Sequence, residues 1–471
     1  MKHSFSWKTL ILVIIGSLLC GSALTFIFVA WMLGKSPLMN SDLRQIQEVY
    51  ENIDQNYYKK VPSKKLVNGA ISGMIDSLDD PYSQFLTAKN RTDLNESISG
   101  KISGIGATIT RASSGIKIVN VMPHSPAKRA GLRADDVILK INQKSTRDLT
   151  VEQASALTRG KTGTKVQLQL QRQQKQFTVN LHRAPIKMAT VTGQVNKDYP
   201  QIGQITIAQF SENTSQDLKK EIVALRHQGV KKLIIDVRSN PGGLMEQAVA
   251  SASMFLKNGQ KIVTITGRHQ TDVTYRANEH YLKNYKVHLP VVVLIDNQSA
   301  SAAEIFAAAL HESGKTPLVG ERSYGKGVVQ TVNSLNSSSE MKITTAKWLT
   351  PQGHWINKKG LEPTFKVTYP AYLNLKAFTS KKTLNSGSSE PDVLTAQKVL
   401  QALGSDVELS GQLDTATMTA LQNFQSQNEL SATGTLNQAT RQALTQKLLK
   451  QAQTNDEMNN KAIELLAKDK E

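Results

Sequence analysis

A single cysteine, Cys20, is all the thiol chemistry in this 471-residue chain. It falls inside an apolar stretch, so everything beyond that stretch lacks both a thiol nucleophile and an internal disulfide. Cysteine-protease and zinc-thiolate chemistry are thereby excluded. Leu18-Leu19, where a small residue would be needed, argue against lipid attachment at Cys20. Charge is missing altogether from Thr9 to Gly34, a run long enough to cross a bilayer as a helix. Lys2 and Lys8 precede it, which favours a cytoplasmic N-terminus and an exported body. A small-x-small cleavage site is also missing, since the run ends in Trp31-Met32-Leu33. An uncleaved single-pass anchor is expected rather than a signal peptide. Acidic residues are few, 38 against 57 Lys and Arg, for a net charge of +19. The basic residues are scattered, and no nucleic-acid partner is expected. Attraction to anionic wall polymers or lipid headgroups accounts for them, as does a merely solvated basic surface. Paired carboxylates or metal ligands, which a glycan or cross-link hydrolase would use, are not evident either.

What is present divides by texture. At this length about three domains are expected. After the anchor (1–38), "SDLRQIQEVYENIDQNYY" and "SKKLVNGAISGMIDSL" carry apolar residues at helical spacing, punctuated by Pro62 and the Asp79-Asp80-Pro81 turn. They form a helical arm over 39–97. Short β-type runs such as "GIKIVNVM" and "KVQLQLQR" occupy 98–183, with helical pieces at "PAKRAG" and "TVEQASALTR". Strands then alternate with helices over 184–376, the pattern of an α/β layered domain. Residues 377–390 contain the polar, Ser/Gly-rich "SKKTLNSGSSE" and read as a flexible linker. A compact helical unit is expected at 391–448, followed by a polar tail at 449–471 with a weak apolar stripe.

The stretch "VVVLIDNQSASAAEIFAAAL" (291–310) joins a β-branched strand to a helix-forming run. Ser299 and Ser301 lie at the seam, and either can be an ordinary helix cap. Downstream, "ERSYGKGVVQ" places Lys326 between two glycines. A lysine acts as a general base only when neutral, so burial would have to lower its free pKa of about 10.4 by several units. Glycines allow packing against backbone that makes such burial feasible, but a solvated surface turn fits the segment equally. Gln330 lies four residues on, about 13 Å away along a straight strand, so direct contact needs local bending. "IIDVRSNPGGL" ends an apolar strand in Gly242-Gly243, whose backbone N–H groups can face an oxyanion or simply form a turn. His311 is almost three helical turns from Ser301, which discounts a Ser–His–Asp triad. His182, His227 and His354 read as surface or packing residues.

The run Ser125 to Asn142, "SPAKRAGLRADDVILKIN", closely resembles the PDZ hallmark. The resemblance makes Gly104, Ile105, Gly106 and Ala107 a carboxylate-binding loop, followed by a strand that takes a peptide by β-augmentation. Over about 41–370 the chain resembles the carboxyl-terminal (tail-specific) processing proteases, peptidase family S41, through "DVRSNPGG", "SASAAE", "YGKGVVQ" and "WLTPQGHWINKKGLEPT". That resemblance implies Ser301 as nucleophile, Lys326 as general base and Gln330 as its orienting partner. It implies an oxyanion hole from Ala302 N–H with one from Gly242 or Gly243. The family often has a hydroxyl at Ala303 and tyrosine at Trp348, and neither departure is expected to touch the dyad. A PDZ gate for unstructured substrate tails follows from the family, and Arg159 is placed for a contact to the protease body. Residues 392–444 resemble a type 1 peptidoglycan-binding domain, through Gly411, Asp414, Thr417, Phe424-Gln425, Leu430, Gly434, Thr440 and Leu444.

The implied fold is a crotonase-like layered α/β protease core with an inserted α+β PDZ domain, an N-terminal helical arm, a three-helix peptidoglycan-binding unit and one transmembrane helix. The implied function is serine endopeptidase cleavage of protein substrates near their C-termini, without metal or cofactor, at a Gram-positive-type bacterial surface. Partners would be unstructured substrate tails, peptidoglycan and the membrane, and the family suggests a homodimer through the arm. A catalytically silent PDZ adaptor on the same scaffold is the rival reading.

Overall fold

The computed structural model describes residues 6–34, 41–112, 114–268, 270–336 and 339–468, which leaves Lys2 and the last three tail residues outside it. It comprises two units, residues 1–88 with 330–344, and residues 89–329 with 345–471.

In the first unit, α1 (Trp7–Gly34) is a 28-residue apolar helix with exposed side chains along its length, such as Trp7, Leu12 and Phe26. Its residues 7–29 are long and apolar enough to cross a membrane. The arm follows as α2 (Ser41–Asn56) and α3 (Ser63–Asp76), with Pro62 at the entry to α3, where a missing N–H costs nothing. Asp80 turns the chain by accepting from Tyr82 N–H at 3.1 Å and Ser83 Oγ at 2.6 Å. The strand β1 (Gln84–Thr87) comes next.

The helix α4 (Ala88–Ser99) leads into a small β-rich body. Its elements are β2 (Lys101–Gly104), β3 (Ala107–Ala112), β4 (Gly115–Val121), α5 (Pro126–Arg129), β5 (Val137–Ile141), β6 (Lys144–Ser145), α6 (Val151–Thr158), β7 (Lys165–Arg172), β8 (Lys175–His182) and β9 (Ala184–Lys187). The main sheet runs β3-β4-β5-β7-β8, with β6 on β5, while β2 pairs with β9 and closes the insertion. Strand β7 shows why it folds so: Val166, Leu168 and Leu170 are buried, and the alternating Gln residues are not. Ser125 caps α5 by accepting from Lys128 N–H, and Thr150 with Gln153 forms a reciprocal capping box on α6.

The core that follows contains β10 (Val191–Val195), β11 (Ile202–Ile207), α7 (Thr214–His227), β12 (Lys232–Asp236), α8 (Met245–Ser253), β13 (Lys261–Gly267), β14 (Gln270–Arg276), β15 (Val291–Ile295), α9 (Ala302–Ala308), β16 (Leu318–Gly320), β17 (Val328–Asn336), β18 (Ser339–Leu349) and β19 (Phe365–Lys366). Six strands form one sheet in the order β10-β11-β12-β15-β16-β19, parallel apart from the first pair. Strand residues 339–342 of β18 pair with β1 in the first unit, and 346–349 pair with β13 in the second. Side chains alternate between faces along each strand. Ile205, Leu233, Ile235, Val293, Ile295 and Leu318 therefore pack with α7, α8 and α9, and their neighbours Ile202, Ile234, Val292, Leu294 and Val319 face the other way.

That second face corrects the expectation of a polar tail at 449–471. The helices α10 (Pro391–Ala402), α11 (Thr415–Gln427) and α12 (Gln438–Thr454) build their own core, and α13 (Glu457–Lys468) then returns to the protease sheet. Met458, Ala462, Ile463 and Leu466, the weak stripe of the sequence, are buried on β12, β15 and β16. The flexible linker expected at 377–390 is likewise ordered. Leu384 is buried and bridges Leu436, and Asp392 accepts from Thr379 and Ser380 N–H at 2.9 and 3.0 Å. Serine and glycine content marks surface chain, but one apolar anchor and one buried carboxylate suffice to fix it.

Candidate active site

Parallel strands deliver their following loops to one edge of the sheet, and the three loops of interest follow β12, β15 and β16. Ser301 stands in the turn between β15 and α9 with φ 54° and ψ −113°, a sparsely populated conformation for a residue with a Cβ. It occupies the N-cap position of α9 and is only partly buried. Ser299 differs: fully buried, its hydroxyl donates to Val237 O at 2.8 Å and accepts from Asp296 N–H at 3.0 Å. The twin serine is a structural tie between β12 and β15.

What fixes Ser301 is Glu304, a fully buried carboxylate one helical turn on. Its Oε2 accepts from Ser301 N–H and from Lys326 N–H, both at 2.8 Å. Its Oε1 accepts from Gly325 N–H at 2.7 Å and Ser323 Oγ at 2.5 Å. One oxygen shared by both backbone nitrogens holds the serine and the lysine segment no more than two hydrogen-bond lengths apart. Burial pushes the Glu304 carboxyl up, and the four donors oppose that shift. Tyr324 N–H to Ser299 O at 3.0 Å adds a second link between the two loops.

In the lysine turn Gly325 and Gly327 are buried, Lys326 is half-buried and Tyr324 is exposed. A Cβ on Gly325 would sit 2.8 Å from Gly360 N, and one on Gly327 would sit 2.7 Å from Asn357 N. Both glycines thus admit the 355–360 loop against their backbone. Lys358 N–H donates to Gly325 O at 2.8 Å, and Trp355 Nε1 donates to Gly327 O at 2.8 Å. Trp348, expected to leave the dyad untouched, is buried and donates its Nε1–H to Lys326 O at 2.9 Å. The bond is to the lysine's backbone carbonyl, not to its amine.

Behind the serine, a Cβ on Gly242 would lie 2.8 Å from Ser301 Cβ and 3.0 Å from Ala302 N. The structure therefore brings Gly242, Ser301 and Ala302 together. Gly242 N–H is already given to Asn240 Oδ1 at 2.9 Å. Phe210 N–H and O bond to Gly242 O and Leu244 N–H, which turns Gly243 the opposite way. Among the described residues neither Gly243 N–H nor Ala302 N–H has an acceptor. Ala303 is buried in the core.

Gln330 belongs to the first unit, where its side-chain amide donates to Thr344 Oγ1 at 3.3 Å. In the β-rich body, Gly106 has φ 76°, and a Cβ there would fall 2.3 Å from Ser125 Cβ, so the 104–107 loop requires glycine. Arg159 is exposed at the end of α6 and lies over Gly104. His311 bonds the Thr316 carbonyl at 2.9 Å, away from the serine. Among the described residues no group of three or more His, Cys, Asp or Glu side chains is arranged to hold a metal ion.

Comparison with known proteins assigns this arrangement. Residues 201–367 match the model of peptidase family S41, 95–171 that of PDZ domains, 29–90 that of the activating protease CtpB N-terminal domain, and 389–444 that of a peptidoglycan binding domain. The carboxy-terminal processing protease CtpA of Bacillus subtilis (strain 168) is 40% identical over 431 residues, 91% of each chain. The chain belongs to peptidase family S41. A CtpA-like serine protease of Staphylococcus aureus (strain COL) is 35% identical over 98% of this chain and 93% of its own. The solved photosystem II D1 C-terminal processing protease is 28% identical, covering 71% of this chain and 96% of that one, with TM-score 0.42. The chain is thus a serine-type carboxy-terminal processing peptidase of family S41 with PDZ and peptidoglycan-binding domains.

Two residues of this protease escaped the sequence reading. Glu304 was visible as the N3 acid after a cap serine, which signals helix capping, but its partners at 323–326 become neighbours only on folding. Asn240 precedes Pro241 and the glycine pair in "IIDVRSNPGGL". It is fully buried, donates to Ile207 O at 2.7 Å, and accepts the Gly242 N–H that would otherwise compete with that of Gly243.

Proposed function

We propose that the protease acts through Ser301 as nucleophile and Lys326, in its amine form, as general base. The observation that supports this most is the Glu304 carboxylate oxygen shared by Ser301 N–H and Lys326 N–H. Lys326 takes the hydroxyl proton as Oγ attacks the scissile carbonyl, and returns it to the leaving amine. The developing oxyanion is held by the Ala302 and Gly243 N–H groups, two preformed donors that need no reorganisation. Water then hydrolyses the acyl-enzyme.

Substrates are proteins with unstructured C-terminal tails, whose carboxylate is received by the Gly104–Ala107 loop and whose chain adds beside β3. Arg159, beside Gly104, is the candidate coupling residue from PDZ domain to protease. The helix α1 is read as an uncleaved anchor, with the catalytic part outside the cell and the 391–454 helices on peptidoglycan. The arm is read as a dimer contact, and the core as crotonase-like, from its parallel strands between helical layers.

The test is turnover of an unstructured tail peptide by the full chain in detergent. Ser301→Ala and Lys326→Ala should each lower kcat by about 10³-fold or more. Equal turnover in Ser301→Ala would remove the dyad. An inactive wild-type chain that still bound the peptide would favour the adaptor reading.

A further inference from the structure

The helix α13 is tied to β12 at both of its ends. At its start, Asp456 caps it by accepting from Asn459 N–H at 3.0 Å. The same carboxylate takes two bonds from Arg238, Nη1 to Oδ1 at 2.8 Å and Nη2 to Oδ2 at 2.7 Å. At its end, Leu466 O accepts from Lys232 Nζ at 2.7 Å. Lys232 begins β12 and Arg238 lies two residues past its last, Asp236, so α13 runs antiparallel to that strand. Only Asn455 separates α12 from Asp456. The helices 391–454 are therefore an insertion between the sheet's last strand and its covering helix.

Arg238 opens the loop that ends in Gly242-Gly243. Its guanidinium, 12% exposed, is clamped between two carboxylates, with Nε and Nη2 on Asp236 at 3.0 and 2.7 Å opposite the pair on Asp456. The next residue, Ser239, has φ 56° and donates its N–H to Asp296 Oδ1 at 2.9 Å. Asn240 O then accepts from Ala300 N–H at 2.9 Å, and Asn240 Oδ1 accepts Gly242 N–H. Hydrogen bonds thus hold Asp456 to Arg238 and Asn240 to Gly242, which faces Ala302, and the backbone at Ser239 joins the two sets.

We propose that Asp456 is a positioning residue for the reaction: by holding Arg238 it sets the glycine loop that presents the oxyanion donor. This rests on the Ser301–Lys326 reading above. Bidentate clamping from both sides leaves the guanidinium one orientation, and its backbone inherits that constraint. With the Asp456 side vacant, Arg238 keeps only its bonds to Asp236, and the turn at Ser239 loses its tether to α13 while Asp296 and Asn240 still hold it. A shift of about 1 Å in the donor is enough to cost on the order of a hundredfold in rate.

The test uses the full chain in detergent and two cap-competent variants, Asp456→Asn and Asp456→Ser, which keep α13 started but remove the charge. Lys232→Met is the control, loosening the far end of the helix without touching the loop. Thermal midpoint, kcat and KM on the tail peptide, and the rate of fluorophosphonate labelling are read for each. Asp456→Asn and Asp456→Ser should lower kcat and labelling rate together by about tenfold to a hundredfold, with KM within about twofold. Lys232→Met should lower the midpoint and leave kcat unchanged. The proposal is overturned if either Asp456 variant keeps kcat and labelling within about twofold of wild type, or if all three variants lose activity only in step with their midpoints. Labelling of a Ser301→Ala chain would instead refute the dyad and leave the question of Asp456 to kcat alone.

Discussion

At the scale of single residues the site turns on one buried carboxylate. All four groups facing Glu304 are donors, so only an acceptor of full capacity satisfies them. Glu304→Gln keeps the shape but turns an NH₂ toward two of those donors. Each buried donor left unmet costs about 1–3 kcal/mol, so the variant should lose a few kcal/mol of stability. It should also lose about tenfold or more in kcat, because in either orientation of the amide one of the two oxygens that accept from the lysine turn becomes an NH₂. A thermal melt with parallel kinetics checks this, and an unchanged midpoint would show that the carboxylate does not join the loops. Ser299 illustrates the limit of local reading, since both serines look alike as caps. One is assigned by its bond to Val237 O, a partner 62 residues away.

Among elements, the strands were the most legible part. Val291–Ile295 and Lys232–Asp236 are apolar runs of β-branched and aliphatic residues bounded by polar turns, and they are strands over those residues. The helix α13 was not legible, because an amphipathic stripe at the end of a chain does not say what it covers. Its partner surface, Ile234, Val292, Leu294 and Val319, was hidden in strands that read as uniformly apolar. The same holds for 377–390, whose order depends on Asp392. Burial pushes that carboxyl up, but the Thr379 and Ser380 N–H groups and Arg441 at 3.0 Å outweigh it, and the net shift is downward. A carboxyl lowered in the folded state contributes stability that is present above its unfolded pKa of about 4 and lost as pH falls through the folded value. The protection of the Thr379 and Ser380 amides, relative to their intrinsic exchange at each pH, should therefore fall below about pH 4 in the wild type. In Asp392→Asn the protection should be lower at neutral pH, by the loss of about 3 kcal/mol, and nearly flat with acid. Equal profiles for the two chains would contradict this account of the segment.

On the scale of the whole molecule, the order of the domains in sequence is not the order of the folded bodies. The PDZ domain is closed off by the β2–β9 pair, and the peptidoglycan-binding helices are bracketed by β19 and α13. Both therefore interrupt a protease fold that is completed only at residue 468. Family resemblance made the proposed nucleophile and base and the glycine loop readable from motifs, whereas the connections among them lay in backbone hydrogen bonds that no motif encodes. Trp348 shows this well, since its N–H on Lys326 O ties β18 to the backbone of the lysine turn. The central claim, that Ser301 attacks and Lys326 activates it, is tested most directly by fluorophosphonate labelling of the full chain followed by peptide mass spectrometry. The account predicts one adduct per chain, on Ser301, and none in Lys326→Met under the same conditions. An adduct on Ser299 or any other serine, or undiminished labelling of Ser301 without the lysine, would contradict it.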